Sequence, residues 1–66
     1  MKVYAINEKI INLAEVQYIE VYGSGRVKKI IRFYIKNREY PVENEVLTTD
    51  IPKILERCYA IMKEKD

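Results

Sequence analysis

Two neighbouring stretches decide the fold: Val16-Gln17-Tyr18-Ile19-Glu20-Val21-Tyr22, which stops at Gly23-Ser24-Gly25, and the segment 26–36 that follows. Both stretches are dense in β-branched and aromatic residues, which favour strands, and the glycines between them favour a turn. We therefore predict two antiparallel strands, 16–22 and 26–36, joined by a three-residue loop. In that register Val21 faces Val27.

Two shorter β-favouring runs come before this pair. Residues 2–6 and 9–13 flank Asn7-Glu8, and asparagine tolerates the backbone conformation of a tight turn. This pattern predicts an opening β-hairpin.

A further strand is predicted after the pair. Asn37-Arg38 can form a two-residue loop that turns the chain back into a strand over 39–43. Pro41 marks that strand as an edge or an end, because proline cannot donate a hydrogen bond to a ladder. In this register Phe33 faces Val42.

The spacing of apolar residues changes from two to about 3.6 at Ile51, which predicts an amphipathic helix. Thr49 or Asp50 is expected to cap its start, and Pro52 fits the first turn, where no amide donor is needed. The apolar stripe of this helix consists of Ile51, Ile54, Leu55, Cys58, Ile61 and Met62.

These elements predict one α+β domain over residues 1–66, in the order β-β-β-β-α. Its antiparallel meander sheet has four to five strands, and the C-terminal amphipathic helix packs on one face. The helix side is predicted to hold Ile19, Val21, Val27, Ile31, Phe33, Ile35, Tyr40 and Val42. The open side is predicted to hold Tyr18, Glu20, Tyr22, Arg26, Lys28, Arg32, Tyr34 and Lys36.

Length and composition limit the class of protein. Of the 66 residues, 48% are apolar and 33% charged, which is typical of one small globular domain. No apolar run approaches the roughly 20 residues that a membrane-spanning helix needs. Residues 1–7 lack the apolar run of a secretory signal, and the single cysteine, Cys58, cannot form an internal disulfide. We therefore expect a cytoplasmic protein.

The residue inventory argues against an enzyme. The chain has no histidine, one cysteine and one serine, Ser24, so it cannot build the usual nucleophilic triads or a zinc site of cysteine and histidine ligands. Its only glycine cluster, Gly23-Ser24-Gly25, matches neither a dinucleotide fingerprint nor a phosphate loop. We predict no catalytic residue, no metal ligand and no cofactor.

Charge is unevenly distributed, although the net charge is only +2. Between Val21 and Arg38 there are six basic residues and no acidic one, whereas 39–50 carries four acidic residues and no basic one. One interpretation is structural: neighbouring strands pair these charges, as Arg32 and Glu43 would. The other is functional, because cations that alternate with aromatic rings can bind single-stranded nucleic acid.

A sheet face rich in tyrosine also suits a protein interface, because tyrosine offers a large rigid surface with one polar tip. Our leading prediction is a small non-enzymatic interaction or regulatory protein that binds a protein partner or itself, as a homodimer, through this face or an edge strand. Nucleic-acid binding through the same face is the alternative, and an inhibitor from a mobile element that occludes a host protein is a third. The predicted interaction residues are Tyr18, Tyr22, Arg26, Lys28, Arg32, Tyr34 and Lys36.

The stretch Ile11-Asn12-Leu13-Ala14-Glu15-Val16-Gln17-Tyr18-Ile19-Glu20, with the β-rich run, the Glu-Tyr strand and the helix after it, resembles the first half of a LytTR-type DNA-binding domain. The resemblance covers residues 10–56. That family continues after its helix with a basic strand that carries an Arg/His-rich motif, whereas here residues 57–62 continue the helix. The resemblance therefore implies nucleic-acid binding without assigning any DNA-contacting residue.

Overall fold

The secondary structure comes from a computed structural model that describes residues 2–64. Within these residues the strands are β1 (Val3–Ile6), β2 (Lys9–Asn12), β3 (Val16–Tyr22), β4 (Lys28–Ile35) and β5 (Val42–Leu47), and the helix α1 is Ile51–Met62. Short 3-10 turns, Leu13–Glu15 and Thr48–Asp50, precede β3 and α1. The predicted α+β class, with up to five antiparallel strands and a C-terminal helix, is confirmed.

The five strands form two sheets, which corrects the predicted single meander. β1 and β2 form a hairpin of their own, and the second sheet has the order β3-β4-β5. The hairpin reaches β5 through side chains: Asn7 Nδ2 donates to the Glu45 carbonyl and Lys9 Nζ to the Glu43 carbonyl, both at 3.0 Å. These contacts do not extend the β-ladder beyond β5, because their donors are side chains and not backbone amides.

The hairpin turn lies where the sequence predicts it. Asn7 and Glu8 have φ angles of 48° and 65°, and two successive positive φ values are typical of the tight turn that matches strand twist. Ile6 pairs with Lys9 across this turn. After β2, Asn12 Oδ1 accepts a hydrogen bond from the amide of Ala14 at 3.0 Å and caps the first 3-10 turn.

The predicted register between β3 and β4 is wrong by four residues, because Val21 faces Ile31 and not Val27. Residues 23–27 form a longer loop than the predicted three residues, and Val27 is 69% exposed instead of lying in the core. A β-carbon at Gly25 would collide with the carbonyl oxygen of Lys28. The shift is an even number, so the residues of β3 and β4 that pair keep their predicted faces of the sheet.

The register between β4 and β5 is as predicted, with Phe33 opposite Val42. The predicted strand bounds of 39–43 are wrong, because β5 runs from Val42 to Leu47. Pairing stops at Val42, so Pro41 lies just before the strand, where its missing amide costs no ladder hydrogen bond. Tyr40 is 74% exposed instead of lying on the helix side.

The core lies between α1 and one face of the three-stranded sheet. Ile31 and Phe33 of β4 and Cys58 of α1 are fully buried, and Ile54 is 9% exposed. The remaining positions of the apolar stripe, Ile51, Leu55, Ile61 and Met62, pack partly buried against this core. Pro52 occupies the first turn as predicted, while Asp50, at the N-cap, makes no side-chain capping hydrogen bond. The helix thus packs on one face of the sheet, as predicted.

Candidate functional site

The opposite face of the three-stranded sheet points away from the helix, and we call it the Tyr face. Side chains alternate between the two faces of a strand, so the buried positions Ile31 and Phe33 fix which neighbours point outward. The register of the three strands then brings together Tyr18, Glu20 and Tyr22 of β3, Lys28, Ile30, Arg32 and Tyr34 of β4, and Glu43, Glu45 and Leu47 of β5.

Arg32 lies at the centre of the Tyr face. Its guanidinium carbon sits 3.6 Å from the centroid of the Tyr22 ring, within the range of a cation–π contact. Its Nη1 donates to Glu20 Oε1 at 3.2 Å, and its Nε donates to Glu43 Oε2. The hydrogen bond to Glu43 is the main cause of the raised pKa of Arg32. Arg32 therefore joins all three strands through its own side chain.

Two tyrosines stack beside Arg32. The rings of Tyr18 and Tyr34 have centroids 4.3 Å apart and planes inclined by 20°, a geometry that aromatic pairs favour when the rings are offset. Tyr34 Oη donates to Glu20 Oε1 at 2.8 Å. This hydrogen bond, followed by partial burial, raises the pKa of Tyr34, because both favour the neutral phenol beside a carboxylate.

The Tyr face is not basic. It carries two basic side chains, Lys28 and Arg32, against three glutamates, which gives a net charge of −1. Lys28 Nζ lies 3.7 Å from Glu45 Oε1, and Arg32 is bound to both of the other glutamates. The predicted charge pairing between neighbouring strands, including that of Arg32 with Glu43, is confirmed.

Two predicted interaction residues lie off this face. Arg26 is exposed in the loop 23–27, and Lys36 is exposed in the turn that follows β4, so they flank opposite ends of that strand. The structure brings together the other five, Tyr18, Tyr22, Lys28, Arg32 and Tyr34. It adds Glu43 and Glu45, neither of which is among the predicted interaction residues. The period-two spacing of these glutamates, together with the predicted pairing of Arg32 with Glu43, was the signal that could have identified them.

Aromatic surface remains accessible on the Tyr face. Tyr18 is 56% exposed and Tyr22 is 43% exposed, while their polar neighbours are held by one another. Tyr40 and Tyr59 are also exposed; Tyr40 lines a small groove with Arg32, Tyr34 and Glu43 at the rim of the Tyr face, whereas Tyr59 lies on α1. Only on the Tyr face do exposed tyrosines sit together among the described residues.

Other candidate sites are limited. A groove of about 630 Å³ lies between the hairpin and the turn that joins β4 to β5. Its charged lining is balanced, with Lys9 and Arg38 against Glu15 and Glu43. Cys58 is buried, and burial raises the pKa of its thiol. Residues 2–64 hold no cluster of three or more acidic or cysteine side chains that could bind a metal ion.

No protein-family model, curated protein or solved structure matches this chain. The resemblance to the LytTR-type domain therefore stays a prediction. In the part of the chain that the structure describes, no helix is both long enough and apolar enough to span a bilayer.

Proposed function

We propose that this chain is a non-enzymatic interaction protein that binds a protein partner through the Tyr face. The observation that supports this most directly is the combination of exposed Tyr18 and Tyr22 with charged neighbours that are already paired. Aromatic residues of this kind commonly carry most of the binding energy in protein interfaces.

The pairing matters for the energetics of binding. A partner that covers an unpaired charge removes it from water at a large cost. On the Tyr face the carboxylates of Glu20 and Glu43 already accept hydrogen bonds from Arg32, and Tyr34 also donates to Glu20. A partner can therefore bury the two exposed tyrosine rings without leaving a buried charge unpaired. The stacking and hydrogen bonding also hold the face in one arrangement before binding, which reduces the entropy lost on association.

Nucleic-acid binding through this face has less support. Binding of a phosphate backbone needs cations that can exchange their counterions for phosphate. Here Lys28 and Arg32 already face carboxylates, and the net charge of −1 repels a polyanion. The exposed rings of Tyr18 and Tyr22 therefore favour a protein partner over a nucleic acid.

The test compares partner capture by matched tyrosine variants. The tagged chain is incubated with a lysate of the cells that make it, crosslinked and purified, and the bound proteins are identified. The double variant Tyr18→Ala, Tyr22→Ala should lose at least about tenfold of a specific partner, since each buried anchor commonly costs more than about 1 kcal/mol when truncated. Tyr59→Ala, which removes an exposed ring on α1, on the other side of the sheet, should capture as much as the unaltered chain.

Circular dichroism of each variant confirms that it is folded before the capture is compared. Equal capture by the double variant would contradict the proposal. So would capture that disappears after nuclease treatment, or tight binding of single-stranded oligonucleotides that weakens steeply with salt. These last two results would assign the Tyr face to nucleic acid.

We also propose a cytoplasmic location and a regulatory role that works by occupying a partner's surface. The support for the location is that the single cysteine, Cys58, is buried in the core and has no internal partner for a disulfide.

A further inference from the structure

The two edges of the three-stranded sheet differ in how their backbone groups are satisfied. At the β5 edge, the carbonyls of Glu43 and Glu45 accept hydrogen bonds from the side chains of Lys9 and Asn7 at 3.0 Å. The hairpin thus covers this edge. Covering an edge with another element is one of the ways in which proteins prevent further strand addition.

The β3 edge has no such cover. In residues 2–64 the backbone of β3 pairs only with β4. The amide of Val16 donates to the Leu13 carbonyl at the end of the first 3-10 turn, and no other backbone hydrogen bond involves residues 17–22. Backbone groups alternate in direction along a strand. The amide of Lys36 donates to the Glu15 carbonyl at 2.8 Å, on the β3 side of β4. Even-numbered residues of β4 therefore bond to β3, which leaves the amides and carbonyls of Ile19 and Val21 pointing outward.

The sequence of β3 contains few of the features that block strand addition. Proteins protect exposed edges with proline, lysine, short strands or inward-pointing charges. The seven residues of β3 include no proline, glycine or lysine, and their single charge, Glu20, is bound on the Tyr face by Arg32 and Tyr34. A bulge between Val16 and Tyr18 is the one irregularity, and it lies at the start of the strand. The stretch from Tyr18 to Tyr22 is regular and free to pair.

We propose that a second copy of this chain pairs antiparallel with β3, about a two-fold axis that passes between the two Ile19 residues. This register places Ile19 opposite Ile19 of the second copy and Tyr18 opposite Glu20 of the second copy. An axis at Glu20 would instead place two carboxylates directly opposite each other, and like charges in that position are destabilising. An axis at Tyr18 would bring the bulge into the middle of the interface. Of these three registers, β3 is self-complementary only in the one that places Ile19 opposite Ile19 of a second copy.

The product is a continuous six-stranded sheet. A two-fold axis perpendicular to the sheet keeps both Tyr faces on the same side and both helices on the other. In this sheet the amide and carbonyl of Ile19 bond to those of Ile19 in the second copy, and Val21 lies opposite Gln17 of the second copy, at the bulge. This contact lies at the edge of the sheet, so it goes beyond the proposed binding of a partner to the Tyr face.

The first experiment measures solution mass and amide hydrogen exchange on the unaltered chain as its concentration is raised. We expect the mass to approach that of a dimer, because one added strand forms a small interface that needs high concentration. The amide of Ile19 should become protected together with the mass increase. The amides of Tyr18 and Glu20, which already bond to β4, should be protected throughout. A monomer at every concentration, or a dimer in which the amide of Ile19 exchanges freely, would overturn the proposal.

Two proline variants at equivalent edge positions provide the matched control. Ile19→Pro removes an outward amide from β3, and Glu45→Pro removes one from the covered edge of β5. Ile19→Pro should weaken dimerisation by roughly tenfold or more, since it removes both central hydrogen bonds, and Glu45→Pro should leave it unchanged. Dimerisation lost only with Glu45→Pro would refute the assignment to β3. If Ile19→Pro does not fold, the exchange data on the unaltered chain decide the question.

A third variant separates this proposal from the proposed function. Tyr22→Ala alters the Tyr face but no outward backbone group, so it should dimerise normally while it loses capture of a partner. A chain that dimerises through β3 without capturing a partner would leave the edge contact intact and refute the proposed function alone. A chain that captures a partner but remains a monomer would refute the β3 dimer and leave the proposed function intact.

Discussion

Replacement of Phe33 tests the arrangement of the sheet more directly than any other change. Phe33 is 0% exposed and lies between Arg32 and Tyr34 on the opposite face of β4. Truncation of a fully buried phenylalanine to alanine costs about 3–5 kcal/mol in lost burial and residual cavity. For a chain of 66 residues, about 0.05–0.15 kcal/mol per residue gives a total free energy of unfolding of roughly 3–10 kcal/mol. We therefore expect Phe33→Ala to lose a third or more of that stability, and at the lower limit to be unfolded.

The matched control is Tyr40→Ala. The sequence predicts Phe33 and Tyr40 on the same buried side, whereas the structure leaves Tyr40 74% exposed. We expect Tyr40→Ala to change the free energy of unfolding by roughly 0.5 kcal/mol or less. Urea denaturation followed by far-ultraviolet circular dichroism measures both variants, and Phe33→Leu supplies a milder change if Phe33→Ala does not fold. No loss in Phe33→Ala would contradict the observed burial of Phe33, and equal losses in the two variants would contradict the observed exposure of Tyr40.

Two further predictions concern the Tyr face and the loop that leads to β4. Because its hydrogen bond to Glu20 raises the pKa of Tyr34, the neutral phenol stabilises the fold at neutral pH, and this contribution is lost as the pH rises through that raised pKa. Glu20→Gln should lower the pKa of Tyr34 in an NMR titration, and an unchanged titration would contradict the observed contact. Gly25→Ala should lower the melting temperature, because its β-carbon meets the Lys28 carbonyl, whereas Ser24→Ala in the same loop should not. Equal melting temperatures would show that the loop accommodates a side chain.

Much of the local structure can be predicted from the sequence because neighbouring residues determine it. The bounds of β3 follow from a run of β-branched and aromatic residues that ends at Gly23. The Asn7-Glu8 turn follows from a residue that tolerates positive φ. The helix from Ile51 follows from its apolar period, and its stripe packs against the core as predicted.

The errors arise where the structure depends on pairing between strands that are distant in sequence. The glycines after Tyr22 predict a turn but not its length, and the loop extends to residue 27 before β4 begins. Lys28 then pairs only with β5, opposite Leu47. The strand β5 itself contains glutamate and asparagine residues, which are disfavoured in strands, so the local signal in its second half is weak. It forms because β4 offers a ladder to pair with.

The candidate site shows the same division. The sequence predicts that Tyr18, Tyr22, Arg32 and Tyr34 share a face, because strand alternation and an even register shift preserve it. The pairing of Arg32 with Glu43 is also predicted, but the contacts of Arg32 with Glu20 and of Lys28 with Glu45 are not. The acidic partners Glu43 and Glu45 reach the basic strand only through the pairing of β4 with β5.

The sequence by itself determined the α+β class, the helix, the hairpin turn, the bounds of β3 and the two faces of the central strands. Only the tertiary structure decided the register of β3 against β4, the division into two sheets, the extent of β5 and the contacts of Arg32 with Glu20 and of Lys28 with Glu45. The first set depends on propensity and periodicity, which are properties of adjacent residues. The second set depends on which strands meet and at which residue, and this is fixed by the burial of side chains such as Ile31 and Phe33 against a helix that lies about twenty residues further along the chain.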